Sequence, residues 1–233
     1  MLVIPTITSL PLAQQPPGPN APLSNGCRNS SQPNGNAASA FNAWTSAGFT
    51  ASKIVLGVPA YGYVIETSFP RTPSLSAHPP VRAYSDDGSG QVTFGSLVTQ
   101  GILVQRQDGS FQGSSGFTRR WDNCSSTPFL RSDEAGQVIS YDDNRSLGIK
   151  AAWVRNMGLG GVNLFEAHGD TLDHHLTLAL RAGLSPKASS AGTAPQSPSA
   201  VPSSVAASYP TPTPTPAPFL PLPSILAILP HGN

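Results

Sequence analysis

The sequence predicts an α/β fold in which two short buried strands run parallel and are joined by crossover helices. A small α+β insertion is expected between them and a disordered tail behind. Three observations lead there. Apolar runs rich in β-branched residues, at 53–60 (KIVLGVPA) and 162–165 (VNLF), read as strands buried on both faces, the pattern of parallel sheets. Helical periodicity flanks both runs, and strands alternating with helices imply parallel pairing. The third is uneven composition: 12 of the 25 prolines lie in residues 185–233, which hold one Lys and no Asp or Glu.

The elements follow in order. After a polar, turn-rich stretch (16–36), residues 37–47 read as a helix, because Ala37, Ala40, Phe41 and Trp44 recur at three-four spacing and Gly48 supplies the stop. The first strand (53–60) comes next. Residues 63–141 are rich in Gly and Ser and read as a mixed insertion, with a short helix at 94–103 and strand-like pieces at 117–121 and 137–141. Asp142-Asp143-Asn144 offers capping groups for a helix over 145–157, with Leu147, Ala151 and Val154 on one face. Gly158-Leu159-Gly160-Gly161 ends it. The second strand (162–165) and a last helix (172–182) complete the folded part, with no internal repeat.

Composition narrows the function classes. The 233 residues carry 13 basic and 12 acidic side chains, a net charge of +1, which gives no electrostatic reason to expect a nucleic acid or an anionic membrane as partner. Twenty-two Gly and 25 Pro argue against a helical bundle. The run Pro210–Pro216 alternates with Thr and should be extended polyproline II within a solvated Ser/Thr/Pro stalk. Residues 2–12 are apolar, but two prolines interrupt them and no basic residue precedes them, so a signal peptide is not clear. Residues 219–229 are apolar yet too short to span a bilayer. A membrane enters only if that end is a lipid-anchor signal.

Cys27 and Cys124 are the only cysteines. They suit one long-range disulfide in an oxidising compartment, or two buried thiols. Asn29, Asn123 and Asn144 begin Asn-x-Ser triplets compatible with secretion. Other polar groups read as structural. Asp142 and Asp143 are expected to cap a helix. His168, Asp170, Asp173, His174 and His175 are too sparse for a closed metal site, although Asp170 and His174 stand four apart and could share a helix face. Trp44, Trp121 and Trp153 are read as core. No cofactor and no metal is expected.

Residues 53–63 (KIVLGVPAYGY) and 137–170 (QVISYDDNRSLGIKAAWVRNMGLGGVNLFEAHGD) resemble glycoside hydrolase family 18, most closely fungal secreted chitinases. The family's ordered motifs appear as Gly57-Pro59-Tyr61-Gly62, then an insertion, then Tyr141-Asp142-Asp143, Gly160-Gly161 and the last strand. Residues 18–23 (GPNAPL) look like the loop after the family's sixth strand, and Asp122-Asn123-Cys124 like part of its insertion. The resemblance covers residues 18–184. It implies the last two strands of an eight-stranded (β/α) barrel, a partial TIM barrel with an insertion at about 64–141. Residues 1–17 would be irregular and 185–233 the disordered tail.

The resemblance also implies a chemistry that this chain lacks. Family members hydrolyse β-1,4-linked N-acetylglucosamine polymers with substrate assistance. A Glu protonates the leaving oxygen while the substrate's own acetamido group attacks the anomeric carbon. That Glu closes an Asp-x-x-Asp-x-Asp-x-Glu motif. Here no Asp stands two residues before Glu66, Glu134 or Glu166, so the motif is absent. The Met-x-Tyr-Asp of the sixth strand is replaced by Leu10-Pro11-Leu12-Ala13. Glu166 sits at a strand end but matches no proton donor of the family.

What carries over is a binding surface at the C-terminal strand ends, where such barrels keep their sites. Tyr61 matches the family's cleft-lining tyrosine, with Tyr63 where many members have Arg. Phe165 stands where most have the Trp that floors the catalytic subsite; it keeps a stacking face but loses the indole N–H. The resemblance puts Cys27 and Cys124 near the insertion, and a disulfide is expected. The expected function is the C-terminal part of a chitinase-like glycosidase, itself inactive, with chitin or chitooligosaccharide as partner, outside the cell or in its wall. The alternatives are a non-catalytic glycan-binding protein, or a cell-wall or surface structural protein in which the Ser/Thr/Pro stalk matters most.

Overall fold

The structure is a computed structural model that describes residues 18–30, 32–67, 81 and 89–186. The expectations for 1–17, for the polyproline run and for the apolar end at 219–229 lie outside the described residues.

Helix α1 (Ala37–Ser46) begins where the Asn36 side chain accepts a hydrogen bond from the Ser39 amide at 2.9 Å. It buries Ala37 and Phe41 and stops at Gly48, whose φ of +93° suits glycine. A 3-10 turn (Ala51–Lys53) leads into strand β1 (Val55–Pro59). Strand β9 (Gly161–Phe165) pairs with it in parallel, from Val55 opposite Gly161 to Pro59 opposite Phe165. At the start of β9, Gly160 lies so close to the first region that a Cβ there would stand 2.5 Å from the Ser52 carbonyl.

Between them the chain builds a five-stranded antiparallel sheet in the order β3-β2-β8-β7-β6. Its strands are β2 (Tyr61–Glu66), β3 (Gln91–Thr93), β6 (Thr118–Asp122), β7 (Thr127–Ser132) and β8 (Gln137–Ser140). Helix α2 (Phe94–Thr99) and the hairpin of β4 (Leu103–Gln105) and β5 (Phe111–Gly113) complete this module. Gly62 explains one glycine of the ordered motifs: a Cβ there would collide with the Ser140 carbonyl on neighbouring β8. Helix α3 (Asn144–Asn156) then carries the chain back to β9, and α4 (His175–Leu184) lies against α3. Leu56 and Val58 of β1, Phe94 and Leu97 of α2, Leu130 and Ile139 of the sheet, and Leu147, Ala151 and Val154 of α3 belong to one hydrophobic core. The architecture is α/β, with no closed sheet among the described residues.

Several expectations need correction. The helix expected at 94–103 ends at Thr99, because the chain turns at Gly101 (φ +70°) and 103–105 is a strand. β1 is not buried on both faces: Leu56 and Val58 are buried while Val55 and Gly57 are half-buried. β9 is less buried still, half-exposed along its length with Phe165 exposed at its end. An apolar run states what a strand can bury, not what stands against it. The last helix starts later than expected, at His175, because Asp170 caps it from outside. The Asp170 carboxylate accepts from the Leu176 and Thr177 amides, each at 2.9 Å.

Candidate functional site

Two residues 104 positions apart in the sequence meet at the C-terminal ends of the parallel pair. The backbone continues past Pro59 through Ala60, whose amide donates to the Phe165 carbonyl at 2.8 Å, and Tyr61 follows at once. The Tyr61 and Phe165 ring centroids are 6.5 Å apart with planes at 82°. Tyr63 extends the group, 5.8 Å from Tyr61 and perpendicular to it. Edge-to-face packing of this kind holds rings in defined orientations. Phe165 keeps 58% of its surface exposed, so the cluster presents a stacking face to solvent. From the loop at 18–23, buried Asn20 donates through Nδ2 to the Tyr61 carbonyl at 2.7 Å and fixes the start of β2. Burial, followed by the neighbouring Tyr63, pushes the Tyr61 phenol above its usual value of 10.0. It therefore stays protonated at neutral pH, able to donate a hydrogen bond.

The surface continues along the insertion. Tyr63 and Phe129 both stand opposite Ser140 in the antiparallel register, so all three side chains share one face of the sheet. On that face, Phe129, Arg131, Val138 and Ser140, with Pro19 and Thr67, line an open cavity of about 280 Å³. Sequence reasoning missed Tyr63, Ser140 and Phe129 as a group. The period-two alternation of Tyr61, Tyr63 and Ile65 was the available signal.

The other candidates have structural partners. Asp143 caps α3: its Oδ1 accepts from the Arg145 and Ser146 amides, each at 3.0 Å, while the Ser146 hydroxyl accepts from the Asp143 amide at 2.9 Å. Its Oδ2 pairs with Arg119 at 2.6 Å. Asp142 does not cap, which corrects the reading of the pair. It is buried, and its Oδ1 accepts from Lys150 Nζ at 2.5 Å and from the Ser146 hydroxyl at 2.7 Å. Burial outweighs both partners and pushes the Asp142 carboxyl above the usual range. Lys150 is itself 2% exposed, on the helix face that carries Leu147, Ala151 and Val154.

Glu166 is exposed and has none of the enclosure that makes a carboxyl a proton donor. Asp170 precedes α4 instead of sharing a helix face with His174, and His175 bonds Thr171 Oγ1 through Nδ1 at 2.7 Å. Among the described residues no three His, Cys, Asp or Glu side chains are grouped to hold a metal ion. Of the tryptophans expected in the core, Trp44 is 42% exposed against Phe49. Trp121 lies under the Arg145 guanidinium at 4.0 Å, and Trp153 meets Phe41 edge-on. Cys27 and Cys124 form a disulfide, with Cα atoms 5.1 Å apart, that ties the 18–30 loop to the β6–β7 turn.

Comparison with known proteins places this arrangement. Residues 9–170 match the family model described as Glycosyl hydrolases family 18. A chitinase-like effector of Moniliophthora roreri is 35% identical over 181 residues, covering 67% of this chain and 43% of the relative. One from Moniliophthora perniciosa is 31% identical, covering 71% and 42%. Among solved structures, a chitinase from Rhizomucor miehei superposes with a TM-score of 0.56 at 29% identity, covering 72% of this chain and 48% of that one. The chain thus spans less than half the length of these relatives. It belongs to glycoside hydrolase family 18.

Proposed function

We propose that this chain is the C-terminal part of a family 18 chitinase-like domain, and that its own residues bind β-1,4-linked N-acetylglucosamine chains without cleaving them. On this reading β1 and β9 are the seventh and eighth strands of a (β/α) barrel. The domain runs over 18–184 with its insertion at about 64–141, and 185–233 form a tail outside it. The observation that carries the reading is the contact of Tyr61 with Phe165 across the ends of two parallel strands, with an exposed ring face beside a protonated phenol. A pyranose offers axial C–H groups to such a face and hydroxyls to such a donor. The relatives support the substrate class, since a chitinase and two chitinase-like effectors match most of this chain.

Cleavage needs a carboxyl proton donor within hydrogen-bonding reach of the leaving oxygen. The family motif that supplies it is absent from the sequence, and Glu166, the acid that follows Phe165, is exposed. The disulfide favours an extracellular or cell-wall setting, where oxidised cysteines persist.

Calorimetric titration of the full chain with chitotetraose and chitohexaose tests the proposal, alongside chromatography of the incubated oligosaccharides. Saturable binding with intact oligosaccharide is expected. Shortened products above the uncatalysed background would overturn the non-catalytic reading, and absence of binding at millimolar sugar would overturn the site.

A further inference from the structure

We infer that Asn29 is an N-glycosylation site, that Asn123 is a second acceptor withdrawn by closure of the Cys27–Cys124 disulfide, and that Asn144 is closed to modification. The inference rests on the extracellular reading above. The three Asn-x-Ser triplets are equivalent as sequence, Asn29-Ser30-Ser31, Asn123-Cys124-Ser125 and Asn144-Arg145-Ser146. Their surroundings make them different as acceptors.

The reaction transfers an oligosaccharide from a lipid diphosphate carrier to the asparagine amide. A bond forms between Nδ2 and the anomeric carbon, the bond from that carbon to the diphosphate oxygen breaks, and the lipid diphosphate leaves. Nδ2 gives up one proton to a base, and nothing is oxidised or reduced. The acceptor must present its amide together with the hydroxyl two residues on, from backbone that is neither helix nor sheet, and the folded protein must then have room for the sugar.

Asn29 offers an exposed side chain, with Ser31 two residues on in the sequence. It lies in irregular backbone within a run, 26–30, that is exposed throughout. Asn144 meets none of these requirements. It is the first residue of α3, its Nδ2 donates to the Gly109 carbonyl at 2.9 Å, and the Ser146 hydroxyl is fully buried, engaged with Asp142 and Asp143. A sugar there would keep α3 from seating beside the 109 turn. A chain modified at Asn144 before folding could not close.

Asn123 stands between these extremes. Its side chain is exposed in the β6–β7 turn. Its middle residue, Cys124, is held by the disulfide, and the buried Ser125 hydroxyl is engaged by Asp122 and lies 2.7 Å from Thr127 Oγ1. The turn is locked once the disulfide has formed, so transfer to Asn123 competes with its closure. Asn29, two residues beyond the other half-cystine, stays open before and after.

The test expresses the full chain behind a heterologous secretion leader in a yeast host, which makes it independent of where the natural protein resides. The secreted protein is digested with peptide N-glycosidase in ¹⁸O water, and each former acceptor is read by mass spectrometry as labelled Asp. Near-complete labelling is expected at Asn29, a minority at Asn123 and none at Asn144. Ser31→Ala should abolish the Asn29 label alone. In Cys27→Ala the Asn123 label should rise several-fold, read on cell-associated material if that variant is retained, because transfer takes place in the compartment where the chain folds. An unlabelled Asn29, or a labelled Asn144 on secreted protein, would overturn the assignment. Unchanged Asn123 occupancy in Cys27→Ala would overturn the competition with the disulfide.

Discussion

Leu130 and Leu164 are both strand leucines, one in β7 of the insertion and one in β9 of the parallel pair. Leu130 is 0% exposed, whereas Leu164 is half-buried beside an open apolar groove of about 460 Å³ that it shares with Val162, Leu180 and Leu184. The difference lies in how each strand is flanked. In the insertion, β2, β8 and β7 each have strands on both sides, and Val92, Phe94, Leu97 and Ile139 fill the face beneath. β1 and β9 have only each other among the described residues. A sheet satisfies its backbone and buries its face by adding neighbours. The insertion has gathered its neighbours within 80 residues, and the parallel pair has not.

One hydrophobic core joins the two regions, and of the further links the largest expected effect belongs to the disulfide that fastens the 18–30 loop to the insertion. The Cys27–Cys124 disulfide closes a separation of 97 residues. Its removal in a Cys27→Ser, Cys124→Ser variant should destabilise the protein by about 4–5 kcal/mol in the chain-entropy treatment. Chemical denaturation checks this. A loss under about 1 kcal/mol would mean that the loop at 18–30 is held to the β6–β7 turn without the bond.

The second link is α3, which starts from the insertion and ends at β9. Lys150→Ala should cost about 3–5 kcal/mol, because it strands the buried Asp142 carboxyl without its ammonium. The same pair gives a pH signature. Since burial raises the Asp142 value in the folded state above 3.8, the folded protein retains a proton that the unfolded chain has released. Its contribution to stability is therefore full below the unfolded value and is lost as pH rises through the raised folded value. Denaturant midpoints measured from about pH 3 to about pH 8 should show that decline, and Asp142→Asn should flatten it. An unchanged slope in Asp142→Asn would assign the proton elsewhere.

How much of this was legible before the structure depends on what each element's residues could signal. Helices α1 and α3 announce themselves, because Ala37, Ala40, Phe41 and Trp44, and likewise Leu147, Ala151 and Val154, repeat at helical spacing over about two turns each. β1 and β9 were readable as strands and in parallel order. β3, β4 and β5 were not, since three residues are too few for alternation to register. β7 was missed for another reason. Its TPFLRS run carries a proline and places Thr127, Phe129 and Arg131 on the cavity face, so it does not look like a buried strand. The meeting of Tyr61 with Phe165 is a matter of register between distant segments, which periodicity cannot supply and the ordered family motifs could. The burial of Lys150 had no signal in the sequence, because its partner, Asp142, lies eight residues away beyond the helix start.

Leu130→Ala should cost about 2–5 kcal/mol, because the tightly filled site leaves a cavity. Leu164→Ala should cost less than about 1.5 kcal/mol, because the side chain is already half-exposed. Amide exchange should separate the regions in the same sense, with β7 and β8 protected longer than β9. Equal losses at the two leucines would indicate that β9 is covered in solution, and would place a neighbour against the open groove.

The smallest expected effect on folding belongs to Phe165, and it is the one that separates a site from a structural ring. At 58% exposure the side chain has little burial to lose, so Phe165→Ala should leave the unfolding midpoint nearly unchanged. If the exposed face stacks on sugar, the same change should weaken chitotetraose binding about tenfold, the loss of roughly 1.4 kcal/mol that one aromatic anchor supplies. Phe165→Trp should strengthen binding, because the indole offers a larger stacking face than the phenyl ring and adds a hydrogen-bond donor that phenylalanine lacks. The pair of variants matters more than either alone. A ring that merely steadies Tyr61 would make the alanine variant fail in stability and binding together and would give tryptophan no advantage. A sugar floor moves affinity in both directions while the midpoint stays still. Calorimetric titration beside thermal unfolding, on the same three proteins, distinguishes the two outcomes.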